Sequence, residues 1–480
     1  MAEINPFYLG TFIIYLLVVL GIGAWGYGQT KSTSDFWVYG KKLGPWLATW
    51  SFVANFVSAV SVIGFIGAVY GDGYSILTGI ILGLMLGVSG LYFVVHKVRE
   101  LDHVTFPDII AELTGSQWAR PISAVVLLGN AWTYLIIQLV GAGLLVTTIT
   151  GVPYEYMIWV IGFVFIAYTV MGGLISVAWT DLIQGTIMVT TVLAALGYML
   201  FDLGGLTAIN TQFTALNAAN TAPLGAGVYT VIGVLGSLVA FFGTIFTSQA
   251  TIIRINATRD IKTAKVHLAA AGVILSVFYM ALILLGGATT VALDTSGLGV
   301  ENVDRAFPVL ITQYLPTGVG IVIILAVMSA ILSTTDTRLH ACGVTTARDI
   351  YEFFADDPSD AQLLKVSRIS TTLFGVTATG LAVNPPGTII SLYNFRAVLL
   401  TSSLLVPIYV ALYWRGVAGR AVLASIVLGS IFGVGWDVSG GFLGVPATFV
   451  GVGVSLAALL IGHLVWSSDP SSPTSAASGD

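Results

Sequence analysis

Hydroxyl and ionisable side chains interrupt a long apolar run in the second half of this sequence. Residues 324–351 read ILAVMSAILSTTDTRLHACGVTTARDIY, with Ser333 and Thr334 near the middle of the run and Asp336 shortly after them. A charge inside an apolar helix is costly, and it usually marks a pathway or a paired interior site. Hydroxyl groups in a helix commonly bond back to their own backbone, but two of them beside an acid favour a polar site here.

Two further charged residues lie inside apolar runs. Asp181 is part of GGLISVAWTDLIQ, residues 172–184, and a lone carboxylate there needs a cation, a network of hydrogen-bond donors or a proton. Arg396 is part of YNFRAVLLTSS, residues 393–403. A buried guanidinium pairs with a carboxylate or a phosphate as a planar fork, so Arg396 indicates an anionic substrate if it faces a cavity. The alternative is that Arg396 pairs with an acid of the protein or with C-terminal helix carbonyls. Arg338 either belongs to the same polar interior or extends toward the inner surface.

The composition indicates which elements must position these residues. The chain has 480 residues, of which 56% are hydrophobic and 9% are charged, and its mean hydropathy is +0.94. Soluble proteins carry about 25% charged residues, so this much apolar surface has to be buried in lipid. The apolar runs are long and do not alternate, which favours α-helices over a β-barrel. We therefore expect an all-α, multi-pass protein of the cell (plasma) membrane.

About thirteen apolar runs approach the length of about 20 residues that a membrane span needs. They lie near residues 7–28, 46–70, 74–96, 119–149, 154–172, 175–201, 226–250, 264–292, 316–347, 364–383, 386–413, 420–437 and 442–466. With the N-terminus outside and the C-terminus cytoplasmic, most lysines and arginines fall in inner connections, Arg254 among them, whereas Arg305 falls in an outer one. This distribution follows the positive-inside rule. Two outer connections, 202–225 and 293–315, are long, and we expect a short lid helix in the second.

Several function classes are disfavoured by what the sequence contains. It has no basic stretch suited to nucleic acid, and no obligatory protein partner is evident. Its single cysteine, Cys342, excludes an internal disulfide and a cysteine cluster for zinc or iron–sulfur. The simplest interpretation of Cys342 is a small, buried apolar residue. Nothing in the sequence combines a metal cluster, a nucleophile and a base, so we do not expect an enzyme.

Two spans contain residues that loosen a helix. The second span reads WSFVANFVSAVSVIGFIGAVYGDG over residues 50–73, and small or polar residues crowd its middle. The seventh span reads VIGVLGSLVAFFGTIFTSQ and carries glycines and threonines. Interrupted helices at corresponding positions of two halves point to the binding site of a transporter. The alternative is that these small residues only permit close packing of helices.

Four stretches resemble the sodium:solute symporter family, which contains the bacterial proline, galactose, sialic acid and pantothenate carriers. They are SDFWVYGKKLGPW (34–46), GGLISVAWTDLIQG (172–185), FTSQATIIRINATRDIKTAK (246–265) and AILSTTDTRLHACGVTTARDIY (330–351). The second stretch is similar to the best-known signature of the family, and the last is similar to the stretch that contributes to its sodium site. The likeness runs from about residue 7 to about residue 466.

The resemblance implies a LeuT-like fold, in which two inverted repeats of five helices surround a site at the membrane midplane. It divides the chain into an extra N-terminal helix and inner loop (1–45), a first five-helix repeat (46–201), an outer loop (202–225), a second five-helix repeat (226–413), two C-terminal helices (414–466) and a disordered cytoplasmic tail (467–480). One helix therefore precedes the repeats and two follow them, which fits the thirteen predicted spans.

The resemblance also implies where ions and solute bind. The expected coupling ion is Na⁺, and its expected ligands are carbonyls and hydroxyls of Ala54, Val57, Ala330, Ser333 and Thr334. A second cation, if there is one, is expected near Asp181, Asp336 and Thr337. The candidate solute-binding residues are Ser61, Trp132, Gln138, Thr244, Gln249, Asn394 and Arg396. A neutral site of about five oxygens suits a hard cation such as Na⁺ and contains no group that takes up a proton.

The sequence departs from the proline carriers at two places. They have Asp where Phe56 stands here, next to Asn55, and Arg396 is unusual in the tenth core helix. We therefore expect a sodium-coupled symporter that imports a small polar or anionic organic solute, carboxylate or amino-acid-like, by alternating access. The alternatives are a proton-coupled carrier on the same fold, in which Asp181 or Asp336 titrates, and a non-transporting sensor or channel.

Overall fold

The computed structural model describes residues 6–29, 33–100, 105–225, 229–414, 416–441 and 444–466. The first half of the chain forms α1 Pro6–Gln29, α2 Thr33–Val38, α3 Pro45–Phe56, α4 Phe65–Asp72, α5 Leu82–Glu100, α6 Phe106–Thr114, α7 Ala119–Thr150, α8 Tyr154–Asp202 and α9 Leu206–Leu216. The second half forms α10 Val231–Phe246, α11 Gln249–Ala257, α12 Ile261–Thr295, α13 Ala306–Val309, α14 Thr317–Thr345, α15 Glu352–Phe354, α16 Asp360–Ala382, α17 Ile389–Tyr413, α18 Gly419–Val438 and α19 Ala447–Trp466. The predicted tail, 467–480, lies outside the described residues.

The helices agree with an all-α membrane protein. Within the described residues, ten helical segments are long and apolar enough to cross a membrane, and one bent pair makes eleven. The predicted spans 7–28 and 364–383 are also helical, as α1 and α16, but do not count among these eleven. The predicted spans 154–172 and 175–201 lie in one helix, α8, so their expected connecting loop is instead helical. A continuous helix keeps the backbone polar groups of this stretch hydrogen-bonded within the chain.

The second predicted span is broken, as its small and polar residues indicate. Helix α3 ends at Phe56, Val57 is extended with φ −84° and ψ 124°, and a π-helical turn, Val60–Gly64, leads into α4. The two arms meet at an angle of 51°. The first amide of the second arm is capped from another helix, because Ala59 N donates to Gln138 Oε1 at 3.0 Å.

The seventh predicted span is broken as well. Helix α10 ends at Phe246, Ser248 is extended with φ −76° and ψ 113°, and α11 begins at Gln249. The Thr247 amide and hydroxyl both donate to Gly243 O, at 3.0 Å and 2.8 Å, at the end of α10. Gly243 is also a close helix contact, since a Cβ there would lie 2.4 Å from Thr401 Cγ2 on α17. Both predicted interruptions therefore occur.

Helix α14 runs between the broken helices and the rest of the bundle. It packs against α7, α8 and α16 and also touches α3 and α11. Its residues are buried without a gap from Ala326 to Thr345. Because this stretch is enclosed on every side, its polar side chains have to find their partners inside the protein.

The two long connections are partly helical. The one predicted at 202–225 contains α9, and the one predicted at 293–315 contains α13 between two short helical turns. In the second, Asp304 is buried and its Oδ2 accepts a hydrogen bond from Ile389 N at 3.2 Å, at the start of α17. Burial raises the pKa of Asp304. The connection packs closely over α4, since a Cβ on Gly67 would lie 2.6 Å from Val303 O.

Candidate ion and solute site

Five buried oxygens of α14 and of the broken α3–α4 helix converge at one point. The Ser333 hydroxyl lies 3.1 Å from both Ala54 O and Ala330 O. The Thr334 hydroxyl lies 2.8 Å from Val57 O and 3.1 Å from Ala330 O. All five residues are fully buried. The structure therefore brings together the five residues that the family resemblance implies as Na⁺ ligands.

The break in the helix makes these carbonyls accessible. In an uninterrupted helix, the carbonyl of Ala54 would accept from the amide four residues later, but α3 stops and its last carbonyls have no such partner. The nearby Phe56 carbonyl accepts from the Tyr279 hydroxyl at 2.9 Å and from the Ser61 hydroxyl at 3.1 Å. Carbonyl dipoles at a helix C-terminus favour a cation. The oxygens at the convergence point carry no formal charge, which suits an alkali cation and offers no group that takes up a proton.

A second polar cluster surrounds Asp181. Its Oδ2 lies 2.8 Å from an Nη2 atom of Arg254 and accepts from the Ser51 hydroxyl at 2.6 Å. The same Arg254 nitrogen donates to Thr337 Oγ1 at 2.7 Å. Asp181 is fully buried and Arg254 is only 1% exposed. The expectation that Arg254 lies in an inner loop is therefore wrong: it belongs to α11, inside the bundle, where its charge is balanced by that of Asp181.

The carboxylate of Asp336 has a different hydrogen-bond partner from that of Asp181. Its Oδ1 accepts from the Thr337 backbone amide at 2.7 Å, at the neighbouring position of α14. The structure thus joins Asp181 and Thr337 through Arg254, whereas the Oδ1 atom of Asp336 contacts the backbone of its own helix. The proposed second cation position therefore contains a guanidinium.

Two buried arginines enclose a tyrosine next to the break in the α3–α4 helix. The guanidinium of Arg396 lies 4.3 Å from the ring centroid of Tyr134 and 4.9 Å from that of Tyr393. The guanidinium of Arg338 lies 4.7 Å from the Tyr134 centroid. The Tyr134 hydroxyl donates to Ser58 Oγ at 3.0 Å. We call Tyr134, Arg338, Tyr393 and Arg396 the arginine–tyrosine cluster.

The arginines of this cluster are held by neutral groups. Arg396 Nε donates to Asn130 Oδ1 at 2.9 Å, and one Nη1 atom of Arg338 donates to Ser248 Oγ at 3.4 Å. Their side chains are 2% and 6% exposed. Within the part of the chain that the structure describes, neither arginine forms an ion pair with an acid. The alternative that Arg396 pairs with a protein carboxylate therefore finds no support among the described residues.

Two of the other predicted solute-binding residues also lie at the break. Ser61 contacts the Tyr279 hydroxyl at 3.1 Å. Gln138 uses its Oε1 to cap Ala59, while its buried Nε2 has no hydrogen-bond partner among the described residues. A buried amide nitrogen without a partner is costly, so Gln138 offers a donor for an incoming polar group.

The remaining candidates have other partners. Trp132 Nε1 donates to Thr377 Oγ1 on α16 at 3.0 Å, away from the break. Thr244 bonds back to its own helix, and Gln249 Oε1 accepts from Phe106 N at 2.8 Å. Asn394 lines a cavity of about 440 Å³ between α10, α17, α18 and α19. Ser61 and Gln138 thus contact the broken helix directly and Arg396 lies next to it through Tyr134, whereas these four have their contacts elsewhere.

Sequence reasoning missed Tyr134 and left Arg338 open. One signal for Arg338 was present, because it lies four residues after Thr334 and so shares a face of α14 with that hydroxyl. Nothing comparable marked Tyr134, since aromatic residues are frequent in apolar runs of this chain.

Residues 36–429 match the model of the sodium:solute symporter family. Sodium/proline symporter 2 of Staphylococcus saprophyticus is 27% identical over 447 residues, which cover 89% of this chain and 85% of that protein. The high-affinity proline transporter PutP of Bacillus subtilis is 25% identical over 442 residues, which cover 88% of this chain and 90% of that protein.

Two solved structures share the fold. A Na⁺-coupled sialic acid symporter, in a substrate-bound outward-open state, superposes with a TM-score of 0.84 at 20% identity and covers 96% of this chain and 97% of its own. Mhp1, a nucleobase-cation-symport-1 family transporter in a closed conformation, gives a TM-score of 0.54 at 15% identity and covers 92% of this chain and 97% of its own. The all-helical LeuT-like fold is thus confirmed.

Proposed function

Because this chain belongs to the sodium:solute symporter family and is a sodium-coupled solute symporter, we propose that it imports a small organic carboxylate together with Na⁺. The observation that carries the proposal is the placement of two sites on adjacent residues of one broken helix. Val57 belongs to the five converging oxygens, and Ser58 contacts the arginine–tyrosine cluster. An ion and an anion bound there would act on the same few residues of backbone.

On this proposal, Na⁺ binds among the oxygens of Ala54, Val57, Ala330, Ser333 and Thr334. The two hydroxyls now lie within hydrogen-bond distance of the carbonyls, so a small outward adjustment opens room for an ion between them. Each hydroxyl then turns its oxygen lone pairs to the ion. Sodium would connect the broken helix to α14 and stabilise the arrangement in which both face each other.

The solute is proposed to place its carboxylate at Arg338 and Arg396. Guanidinium groups recognise a carboxylate through two parallel hydrogen bonds, and more strongly where water is excluded. Neither arginine has a protein acid as partner among the described residues, so an anion would balance charge that is now balanced only by aromatic faces and neutral acceptors. Proline and sialic acid, which the relatives carry by name, both contain a carboxylate.

The rest of the solute would be recognised by the groups around the carboxylate. Ser61 and the donor of Gln138 lie at the break, and the rings of Tyr134 and Tyr393 supply flat apolar surface. A small solute with one carboxylate and a short polar or apolar body fits that set of groups. A sugar without charge would leave the two arginines without an anion.

Transport is proposed to follow alternating access across the cell membrane, with the N-terminus outside. The distribution of lysines and arginines between connections supports this orientation. Sodium binds first and fixes the broken helix against α14, the solute then binds at Ser58 and the arginines, and the loaded bundle opens to the inside. The driving force is the sodium gradient, of which a tenfold difference is worth about 1.4 kcal/mol.

The test is thermal unfolding of the purified protein in NaCl and in KCl, repeated with acetate, pyruvate, lactate, proline and glucose. A ligand of the native state raises its stability by mass action. We expect Na⁺ alone to raise the unfolding temperature and a carboxylate to raise it further only when Na⁺ is present. Equal curves in NaCl and KCl across the panel would refute the sodium site and favour proton coupling. A response to glucose and to no acid would refute the role of the arginines.

A further inference from the structure

We propose that the groove between α5 and α12 binds an anionic phospholipid, which lays one acyl chain along the groove and places its phosphate at Lys265. The groove has a volume of about 520 Å³. It is open to the surface of the bundle, since Phe93 on α5 is 71% exposed and Val273 on α12 is 67% exposed. Lipid binding there does not depend on which solute the protein carries.

The walls of the groove offer hydrocarbon surface and few hydrogen-bond donors. The Ser89 hydroxyl donates to Met85 O at 2.9 Å and the Ser276 hydroxyl donates to Gly272 O at 2.8 Å, each within its own helix. The larger side chains that line the groove are those of Val88, Tyr92, Phe93, Leu268, Val273 and Val277. A polar solute would lose hydrogen bonds to water there, so the groove is better suited to an acyl chain.

The groove is about as long as one leaflet of the membrane core is thick. On α12 its lining residues run from Leu268 to Val277, and at 1.5 Å per residue this stretch spans about 14 Å. Half of a hydrocarbon core of about 30 Å is about 15 Å. One acyl chain of a single leaflet can therefore lie along the groove.

Basic and aromatic residues mark one end of the groove. Lys265 lies one helical turn before Leu268 on α12, and His96 lies one turn after Tyr92 on α5. Positions three or four apart share a helix face, so both residues continue the groove toward the membrane surface. Tyrosine is common at the depth of lipid headgroups. Lys265 is half-buried and, among the residues that the structure describes, forms no ion pair.

The surroundings of Lys265 favour a negatively charged headgroup. Residues 96–104 and 258–265 contain five lysines and arginines against three acids. Lys97 and Arg99 donate to backbone carbonyls at 3.3 Å and 3.1 Å, whereas Lys265 is available for a phosphate. Basic pockets between membrane helices bind anionic headgroups on the cytoplasmic side, and the proposed orientation places this end of the groove on that side.

A lipid in this groove would connect two helices that support the broken ones. Helix α5 packs against α10, and α12 packs against α3 and α4. Lipid binding is therefore expected to raise the unfolding temperature by mass action. The test adds phosphatidylglycerol or phosphatidylcholine to the purified protein in detergent, records unfolding, and counts the retained lipids by native mass spectrometry. We expect the wild type to respond at a lower concentration of phosphatidylglycerol and to retain one molecule of it.

Lys265→Gln tests the contact with the headgroup. The variant removes one positive charge near the membrane surface, so the concentration of phosphatidylglycerol at half of the full stabilisation should rise about fivefold. The response to phosphatidylcholine should stay as in the wild type. The matched control is Lys365→Gln, which removes an exposed lysine near the start of α16 and should leave both lipid responses unchanged.

Gly272→Leu tests the groove itself. A Cβ at Gly272 would lie 3.6 Å from Val88 Cγ1, an ordinary contact, and the rest of the leucine side chain would fill the groove. The variant should therefore lose the retained lipid, whichever headgroup it has. The matched control is Gly197→Leu on α8, an exposed glycine with nothing within 4 Å of its Cβ, which should retain the lipid of the wild type.

Three results would overturn the proposal. Equal midpoints for both lipids in the wild type, or an unchanged midpoint in Lys265→Gln, would contradict the headgroup contact. An undiminished lipid count in Gly272→Leu would place the lipid elsewhere. If Gly272→Leu instead separates a wild-type dimer into monomers, a second copy of the chain occupies the groove and the lipid does not. Should Gly272→Leu not fold, the midpoints of the wild type and of Lys265→Gln still decide.

Discussion

The replacement of Thr334 by Ala is expected to weaken sodium binding strongly. The Thr334 hydroxyl lies 2.8 Å from Val57 O and 3.1 Å from Ala330 O, and it is one of five oxygens in the proposed site. An interaction with a charged group is worth about 1.5–3 kcal/mol. Since about 1.4 kcal/mol corresponds to a factor of ten, the dissociation constant for Na⁺ should rise by about tenfold to about a hundredfold.

The assay is the sodium dependence of thermal unfolding. At a concentration of a hundred times the dissociation constant, a ligand stabilises the native state by about 2.7 kcal/mol. After a hundredfold loss of affinity, the same sodium concentration would provide only about 0.4 kcal/mol. The unfolding temperature of Thr334→Ala should therefore respond to Na⁺ only at much higher concentration, while its unfolding in KCl stays close to that of the wild type.

A neighbouring residue provides the matched control. Thr335 is equally buried, and its hydroxyl bonds to Ile331 O of its own helix at 2.7 Å, away from the converging oxygens. Thr335→Ala removes the same atoms from the adjacent position and should keep the sodium midpoint of the wild type. An unchanged midpoint in Thr334→Ala would refute the assignment of its hydroxyl. An equal shift in both variants would show that the effect is one of packing.

Three further predictions concern other parts of the protein. Arg396→Gln is expected to lower the affinity for a carboxylate by about tenfold or more and to keep the sodium response. The control Trp132→Phe, measured by the same unfolding assay, should keep both the carboxylate response and the sodium response. Loss of the sodium response in Arg396→Gln would contradict separate sites for the ion and the carboxylate. Burial raises the pKa of Asp304, so the native state favours the protonated form and loses stability as the pH rises above about 4. The unfolding temperature of Asp304→Asn should therefore exceed that of the wild type by an amount that grows with pH, and a constant difference would be inconsistent with this. Gly243→Ala places a Cβ against Thr401 and should cost about 1–3 kcal/mol by overpacking; calorimetry should show partial recovery when Thr401→Ala is added, and no recovery would locate the strain elsewhere.

The proposed ion site was the part of the protein most open to prediction, because the family resemblance implied its five residues. Its proposed ligands are backbone carbonyls and hydroxyls, and the break near Val57 brings them close to α14. Small and polar residues within an apolar run indicated both breaks, because such residues compete with helical hydrogen bonds or fail to cover the backbone. The motif around Ser333 and Thr334 then supplied the second half of the site.

Arg254 could not be placed from the sequence. A basic residue just beyond an apolar run is usually at the membrane surface, and hydropathy treats every residue separately. Asp181 offsets the free-energy cost of burying the Arg254 charge, but it lies in a different helix and far away in the sequence. Pairing between such residues depends on the three-dimensional approach of α8 and α11, which no local pattern contains.

The directions in which buried side chains point could not be predicted from the sequence either. Helix α14 is buried all around from Ala326 to Thr345, so this stretch has no polar face that would fix its rotation and tell which way Arg338 points. The rotation of the helices that carry Trp132 and Thr244 was equally unknown, so both residues were plausible cavity residues. In the structure these helices are rotated so that both side chains have other partners. A surface helix would have shown its orientation through the alternation of apolar and polar faces.

The main-chain character of the proposed ion site affects what a single substitution can change in such a protein. Three of the five proposed ligand atoms are the carbonyl oxygens of Ala54, Val57 and Ala330, and a point mutation that exchanges a side chain leaves a carbonyl oxygen in place. The arginine–tyrosine cluster, in contrast, consists of side chains alone. A single substitution can therefore replace any part of the arginine–tyrosine cluster, whereas in the proposed ion site it can remove only the Ser333 or the Thr334 hydroxyl and leaves the three carbonyl oxygens in place.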